Sequence, residues 1–141
     1  MILKTSGGEP FTPLSTFSKS VPGGIALNFS PSGGSWCSLT CGLHPTNGGI
    51  CYAARLEALR GSLAKSLARK QEAHGEHLRW LARIWNPAES TPWIRLSAFG
   101  TVPHDPDKNR EDWILLASKL ARFQGRVHFP VETVLKFQRY A

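Results

Sequence analysis

The segment from Pro31 to Cys51, PSGGSWCSLTCGLHPTNGGIC, constrains this chain more than any other, because five glycines and two prolines among 21 residues exclude both helix and strand. All three cysteines of the chain lie inside it. Just before it, Ile25-Ala26-Leu27-Asn28-Phe29 is a mostly apolar run between Gly23-Gly24 and Pro31, which predicts a buried parallel strand. Just after it, from Tyr52, apolar residues return at helical spacing: Leu56, Leu59, Leu63 and Leu67, then Leu78, Leu81 and Trp85. Helix is expected to about Asn86, with a break at Gly75 beside His74 and a stop at Pro87.

The same alternation continues to the end of the chain. Trp93-Ile94-Arg95-Leu96-Ser97-Ala98-Phe99 reads as a second strand stopped by Gly100 and Pro103, and Trp113, Leu116, Ala117 and Leu120 form the apolar face of a second helix. Asp107 or Asn109 is placed to cap that helix and Gly125 to end it. Arg126 to Phe129 gives a third short strand limited by Pro130, and Thr133 is expected to cap a last helix with Val134, Phe137 and Tyr140 on its apolar face. Strands alternating with helices imply an α/β domain: a partial (βα) barrel, or an open parallel sheet of about three strands with flanking helices. With 141 residues, the chain falls short of the roughly 250 that a closed eight-stranded barrel needs. Residues 1–24, rich in Gly, Pro, Ser and Thr, are expected to be an irregular lead-in to one domain over 25–141. The apolar positions still running at Ala141 suggest a fragment, a shortened relative of a longer fold, or an end packed on a protein partner.

An odd number of cysteines in one short loop does not make a disulfide framework, so metal binding is the expected use, against a simpler reading as unliganded thiols. The spacing is Cys37-x3-Cys41-x9-Cys51. Thiolates are soft ligands for iron–sulfur clusters and for zinc, and a glycine-rich backbone can wrap close to a cluster. Three cysteines leave one iron open, whereas a closed zinc site needs a fourth ligand, for which His44 is nearest in sequence.

A three-cysteine loop after the first strand, closing with Cys51-Tyr52-Ala53 at the opening of a helix, resembles the radical S-adenosylmethionine superfamily. It looks closest to uncharacterised phage gene-product families whose cysteine loop ends in CYA, and WIRLSAFG resembles the strand that follows the first helix in those proteins. The resemblance implies that Cys37, Cys41 and Cys51 hold a [4Fe–4S] cluster with Tyr52 as its aromatic neighbour. It also implies a unique iron that binds S-adenosylmethionine and cleaves it to a deoxyadenosyl radical, chemistry that belongs to the cofactor. The second gap is seven residues longer than the C-x3-C-x2-C spacing usual in that superfamily, and Ser97-Ala98-Phe99-Gly100 stands where a glycine-rich segment is usual. The resemblance therefore implies the cluster without by itself making the chain an enzyme.

The remaining signals are broader. Lys and Arg exceed Asp and Glu by 17 to 10, for a net charge of +7, which favours an acidic partner. Lys65, Arg69, Arg79 and Arg83 fall opposite the leucines and are the candidate nucleic-acid contacts, against the plainer reading of a solvated helix face. An alternative function follows: a non-enzymatic basic module, its metal structural, docking on host nucleic acid or on a nucleoprotein complex such as an immune effector. His104 and Asp105, in the loop after the second strand with Asp107 nearby, are the candidate catalytic residues, because parallel strands form sites at their carboxyl ends. His74, His77 and His128 read as structural, and Trp36 as a shield for the cluster. No apolar stretch has membrane-spanning or signal-peptide length, so a cytoplasmic protein with no membrane contact is expected.

Overall fold

The computed structural model describes residues 2–16, 23–31, 36, 61–97, 101–128 and 131–140. Strands β1 (Leu3–Lys4) and β2 (Pro10–Phe11) pair antiparallel. β3 (Ser15–Thr16) then pairs antiparallel with β4 (Ile25–Leu27), which is followed in parallel by β5 (Ile94–Leu96) and β6 (Val127–His128). The sheet is open, in the order β3-β4-β5-β6. Four helices are described: α1 (Gly61–Glu72), α2 (His74–Arg83), α3 (Arg110–Ala121) and α4 (Val131–Tyr140). The expected α/β class and three-stranded parallel core are present, with helical segments between β4 and β5, between β5 and β6, and after β6.

The lead-in departs from expectation, since three strands lie within it. Its glycines make a turn: Gly8 adopts φ 84°, its N–H donates to the Thr5 carbonyl at 2.9 Å, and the Thr5 hydroxyl accepts from the Glu9 N–H at 3.1 Å. Pro10 sits at the edge of this hairpin, where the missing N–H removes no central ladder bond. The lead-in is strapped to the helices. Arg69 donates to the Pro10 carbonyl at 3.0 Å, Lys70 to the Ser15 hydroxyl at 3.0 Å, and His77 Nε2–H to the Pro13 carbonyl at 2.8 Å.

The leucine periodicity packs as read. Leu78, Leu81 and Trp85 share one core with Leu27, Ile94 and Leu96 of the strands and Trp113, Leu116 and Leu120 of α3, and Leu67 of α1 is buried as well. Leu56 and Leu59 lie outside the described residues. Full burial of one such side chain contributes about 1.5–3 kcal/mol. The helical break falls at Ala73 rather than Gly75, which lies inside the first turn of α2. It is slight: Ala73 N–H still donates to Arg69 and its carbonyl still accepts from His77, each at 2.9 Å. Where α2 ends, the Lys119 ammonium donates to the Leu81 carbonyl at 2.8 Å and to that of Trp85, closing the end of the helix with a cation.

Two capping expectations fail. No side-chain cap bond starts α3; a 3-10 turn over Asp107–Asn109 leads into it instead. Thr133 is not a cap, because α4 begins at Val131 and Thr133 is fully buried inside it. The buried stripe of α4 is Thr133, Lys136 and Tyr140, with Phe137 partly buried, while Val134 is 38% exposed and so is not on the inner face.

Candidate functional site

Parallel α/β sheets leave a crevice beyond the carboxyl ends of their strands, where adjoining loops meet. Here that end is lined by buried polar groups. After β4 come Asn28, 2% exposed, and Ser30, fully buried. After β5 comes Ser97, at φ 58°, a left-handed conformation that is uncommon outside glycine. The Ser97 N–H donates to the Leu27 carbonyl at 2.6 Å, tying the two strand ends together, and its buried hydroxyl has no hydrogen-bond partner among the described residues.

The ring of polar contacts continues through the next loop and the last helix. The Ser30 hydroxyl donates to the Thr101 carbonyl at 2.8 Å and accepts from the Thr101 N–H at 3.2 Å. The Thr101 and Thr133 hydroxyls meet at 3.3 Å. Lys136, fully buried, donates to the Val102 carbonyl at 2.8 Å and to the Trp36 carbonyl at 2.5 Å. Tyr140 donates to the Pro103 carbonyl, and burial pushes its phenol above the ordinary range. These contacts join β4, β5, the loop after β5, α4 and the entrance of the cysteine loop.

Aromatic rings close the other side. Trp36 packs edge-on against His74 with ring centroids 4.9 Å apart, and His74 lies 5.5 Å from Trp113 and 6.1 Å from Phe29. Burial lowers the His74 pKa to about 4, so its imidazole is neutral at pH 7. His77 lies against Phe29 and Phe11, and burial lowers its pKa to about 3, with nearby Lys70 and His74 adding in the same direction against the Pro13 hydrogen bond.

The residues read from the sequence fare unequally. Cys37, Cys41, Cys51, His44 and Tyr52 lie outside the described residues, and among the described ones no group of three or more His, Cys, Asp or Glu stands together as metal ligands. His104 and Asp105 are exposed, and the Asp105 carboxylate accepts the Asp107 N–H at 2.8 Å, shaping the turn before α3. Asp107 itself adopts φ 52°. Among the basic four, Arg69 pairs with Glu9 at 3.4 Å, and Arg83 with Asp112 at 2.7 Å and Glu111 at 3.3 Å. Lys65 and Arg79 are exposed. Lys65 and Arg69 border a surface cleft of about 310 Å³ shared with Glu9 and Glu72, so its charge is mixed rather than basic. His128 is exposed and stacks on Trp93.

Sequence reading gave Ser97 to a strand and Thr133 to a helix cap, and passed over Lys136. The one available signal was their spacing: Thr133, Lys136 and Tyr140 recur at three and four residues, a helical stripe that hydrophobicity alone passes over. No helix among the described residues is long and apolar enough to cross a membrane. The chain matches no protein-family model, no curated protein and no solved structure.

Proposed function

We propose that this chain is an iron–sulfur-cluster-binding protein with the strand, cysteine loop and helix order of radical S-adenosylmethionine proteins, in which Cys37, Cys41 and Cys51 hold a [4Fe–4S] cluster. The observation that carries the reading is the spacing Cys37-x3-Cys41-x9-Cys51 in a glycine-rich loop that follows the first parallel strand, whose entrance Lys136 anchors through the Trp36 carbonyl. The donor set fits the group, since three thiolates in a glycine-rich loop are soft ligands suited to iron and sulfide. A bound cluster would supply electron transfer, with S-adenosylmethionine as the cofactor that the resemblance implies. The chain's own contributions are distinct from that chemistry. Lys136 brings a buried hydrogen-bond donor to the carbonyl at the entrance of the loop, and Trp36, Phe29 and Trp113 pack apolar rings along that edge.

Anaerobic purification followed by iron, acid-labile sulfide and visible-spectrum measurement tests this reading. Four irons and four sulfides per chain with a brown chromophore are expected, as the [4Fe–4S] formula requires. A colourless protein free of iron would overturn it, and one equivalent of zinc would redirect the ligands to Cys37, Cys41, Cys51 and His44.

A second reading, a basic module that docks on nucleic acid, draws on the exposed Lys65 and Arg79 in a chain of net charge +7. Replacing both should flatten the salt dependence of any nucleic-acid binding, because fewer phosphate counterions are released. An unchanged slope clears both residues.

A further inference from the structure

β6 ends the four-stranded sheet, paired with β5 and, among the described residues, with no other strand. The Ile94 N–H donates to the Arg126 carbonyl at 2.8 Å, and in a parallel ladder the residue opposite Ile94 turns both of its backbone groups the other way. That residue is Val127. Its N–H and carbonyl therefore point outward from the sheet, and among the described residues neither has a hydrogen-bond partner.

The two faces beside this edge differ in chemistry. On the helix side, Val127 packs against the core and borders a groove of about 350 Å³ with Ala117, Leu120 and Ala121 of α3 and the turn at Gln124 and Gly125. Ile114, 54% exposed and three residues before Ala117, carries the apolar surface one turn further along α3. Strand alternation puts Arg126 and His128 on the opposite face. Arg126 is held by the carbonyls of Glu89 and Thr91, each at 2.8 Å, and its guanidinium lies 5.0 Å from the Phe123 ring centroid, with that of Arg122 at 5.9 Å from the same ring. Neither arginine forms an ion pair among the described residues, so this corner of the sheet is positive. A second copy pairing antiparallel through Val127 would set Arg126 of one chain against His128 of the other, two basic groups face to face.

We propose that β6 is a docking edge for an extended acidic segment of a partner protein, which adds a strand beside Val127. The partner residue opposite Val127 projects over the apolar groove, and the residues before and after it project to the face of Arg126 and His128. Backbone bonds to Val127 supply affinity, an apolar side chain in the groove and carboxylates around it supply specificity, and the arginines meet the negative charge. None of these residues belongs to the cysteine loop.

The probe is the peptide fluorescein-EVEVEVE-amide, titrated into the full chain beside fluorescein-KVKVKVK-amide and followed by anisotropy and by amide hydrogen exchange. The glutamate peptide is expected to bind saturably, by about tenfold or more tighter than the lysine peptide, and to slow exchange of the Val127 N–H. Val127→Pro removes the outward N–H and no bond to β5, a change that an edge strand accommodates, and should weaken binding by about tenfold. Ala121→Phe fills the groove from an exposed position and should weaken it likewise, which keeps the test intact where the proline variant folds poorly. Absence of binding, equal affinity for the two peptides, or wild-type affinity in a folded Val127→Pro or Ala121→Phe variant overturns the proposal. So does binding that leaves the Val127 N–H unprotected, or a free chain that sediments as a dimer with that N–H already protected, which would give the edge to a second copy.

Discussion

The Lys136 ammonium, on the last helix, donates at 2.5 Å to the carbonyl of Trp36, a hundred residues earlier in the chain. The same side-chain nitrogen donates to the Val102 carbonyl at 2.8 Å, so one buried lysine joins the last helix, the loop after β5 and the start of the cysteine loop. Lys136→Met takes the donor from both carbonyls. A buried acceptor left unsatisfied costs about 1–3 kcal/mol, and a loss of about 2 kcal/mol in urea unfolding is expected, with faster chymotryptic cleavage at Trp36. An unchanged midpoint and cleavage rate would mean that the contact contributes nothing to holding the loop.

His77 makes the fold acid-sensitive. Its pKa is lowered to about 3 by burial, with Lys70 and His74 as the charged or titratable groups pressing the same way. In the unfolded chain a histidine titrates near 6.5. Between those values the unfolded state binds the extra proton, so stability falls as pH drops from about 6.5 towards 3. The slope is up to about 1.4 kcal/mol per pH unit, or about 2 kcal/mol lost by pH 5. His77→Phe, packing against Phe11 and Phe29, should remove this increment from the pH dependence of thermal unfolding and leave the one from His74, lowered to about 4. A wild-type melting temperature independent of pH from 7 to 4 would contradict the assignment.

Lys70 acts in the opposite range. It is 2% exposed with the Ser15 hydroxyl as its hydrogen-bond acceptor, and burial lowers its pKa from 10.5 to about 8. Below about 8 both folded and unfolded chains carry the charge, and the folded one bears the desolvation penalty in full. Between about 8 and 10.5 the folded state sheds its proton first, so stability rises with pH. Lys70→Met should therefore raise stability at pH 7 by up to about 3 kcal/mol and abolish the alkaline rise. A lower melting temperature at pH 7 would show that the hydrogen bond to Ser15 outweighs the buried charge.

Ser97 tests whether the strand end is strained. Its φ of 58° and its unpartnered hydroxyl both oppose stability, and both vanish in glycine. Ser97→Gly is expected to stabilise by about 1 kcal/mol, the left-handed penalty of about 1–2 kcal/mol less the added freedom of the unfolded chain. Destabilisation would mean that the Ser97 side chain holds the turn.

The sequence was most legible where one side of an element is apolar. Ile25–Leu27, Ile94–Leu96 and Val127–His128 lie within the apolar runs that marked them, and the leucine spacing found the inner faces of α1 and α2. It was least legible where backbone geometry or polar burial decides. Gly75 looked like a break, but helix tolerates a single glycine and the chain turns at Ala73. The glycines at 7 and 8 read as part of an irregular lead-in because a two-residue strand carries no period, whereas they turn a hairpin whose strands pair Leu3 with Phe11 and Lys4 with Pro10. Lys136 and Thr133 were invisible as inner-face residues because their burial depends on carbonyls and a hydroxyl brought from Trp36, Val102 and Thr101. The composition of the cysteine loop is what suggests metal ligands, while Lys136, which holds the carbonyl at its entrance, comes from the far end of the chain.

The most direct test of the central claim is the iron content per chain of anaerobically isolated wild type measured beside Cys41→Ser. Cys41 is the middle thiolate and stands further than Cys51 from the helical spacing that the sequence shows from Tyr52, so its loss reports on the metal rather than on a helix. Wild type is predicted to hold iron and sulfide in equal amounts. Cys41→Ser is predicted to lose most of both, to be cleaved faster between Pro31 and Cys51, and to retain its helical circular dichroism, since metal binding in such a loop is coupled to its folding. Wild type without iron, or a Cys41→Ser variant with unchanged iron and an unchanged cleavage pattern, would contradict the account.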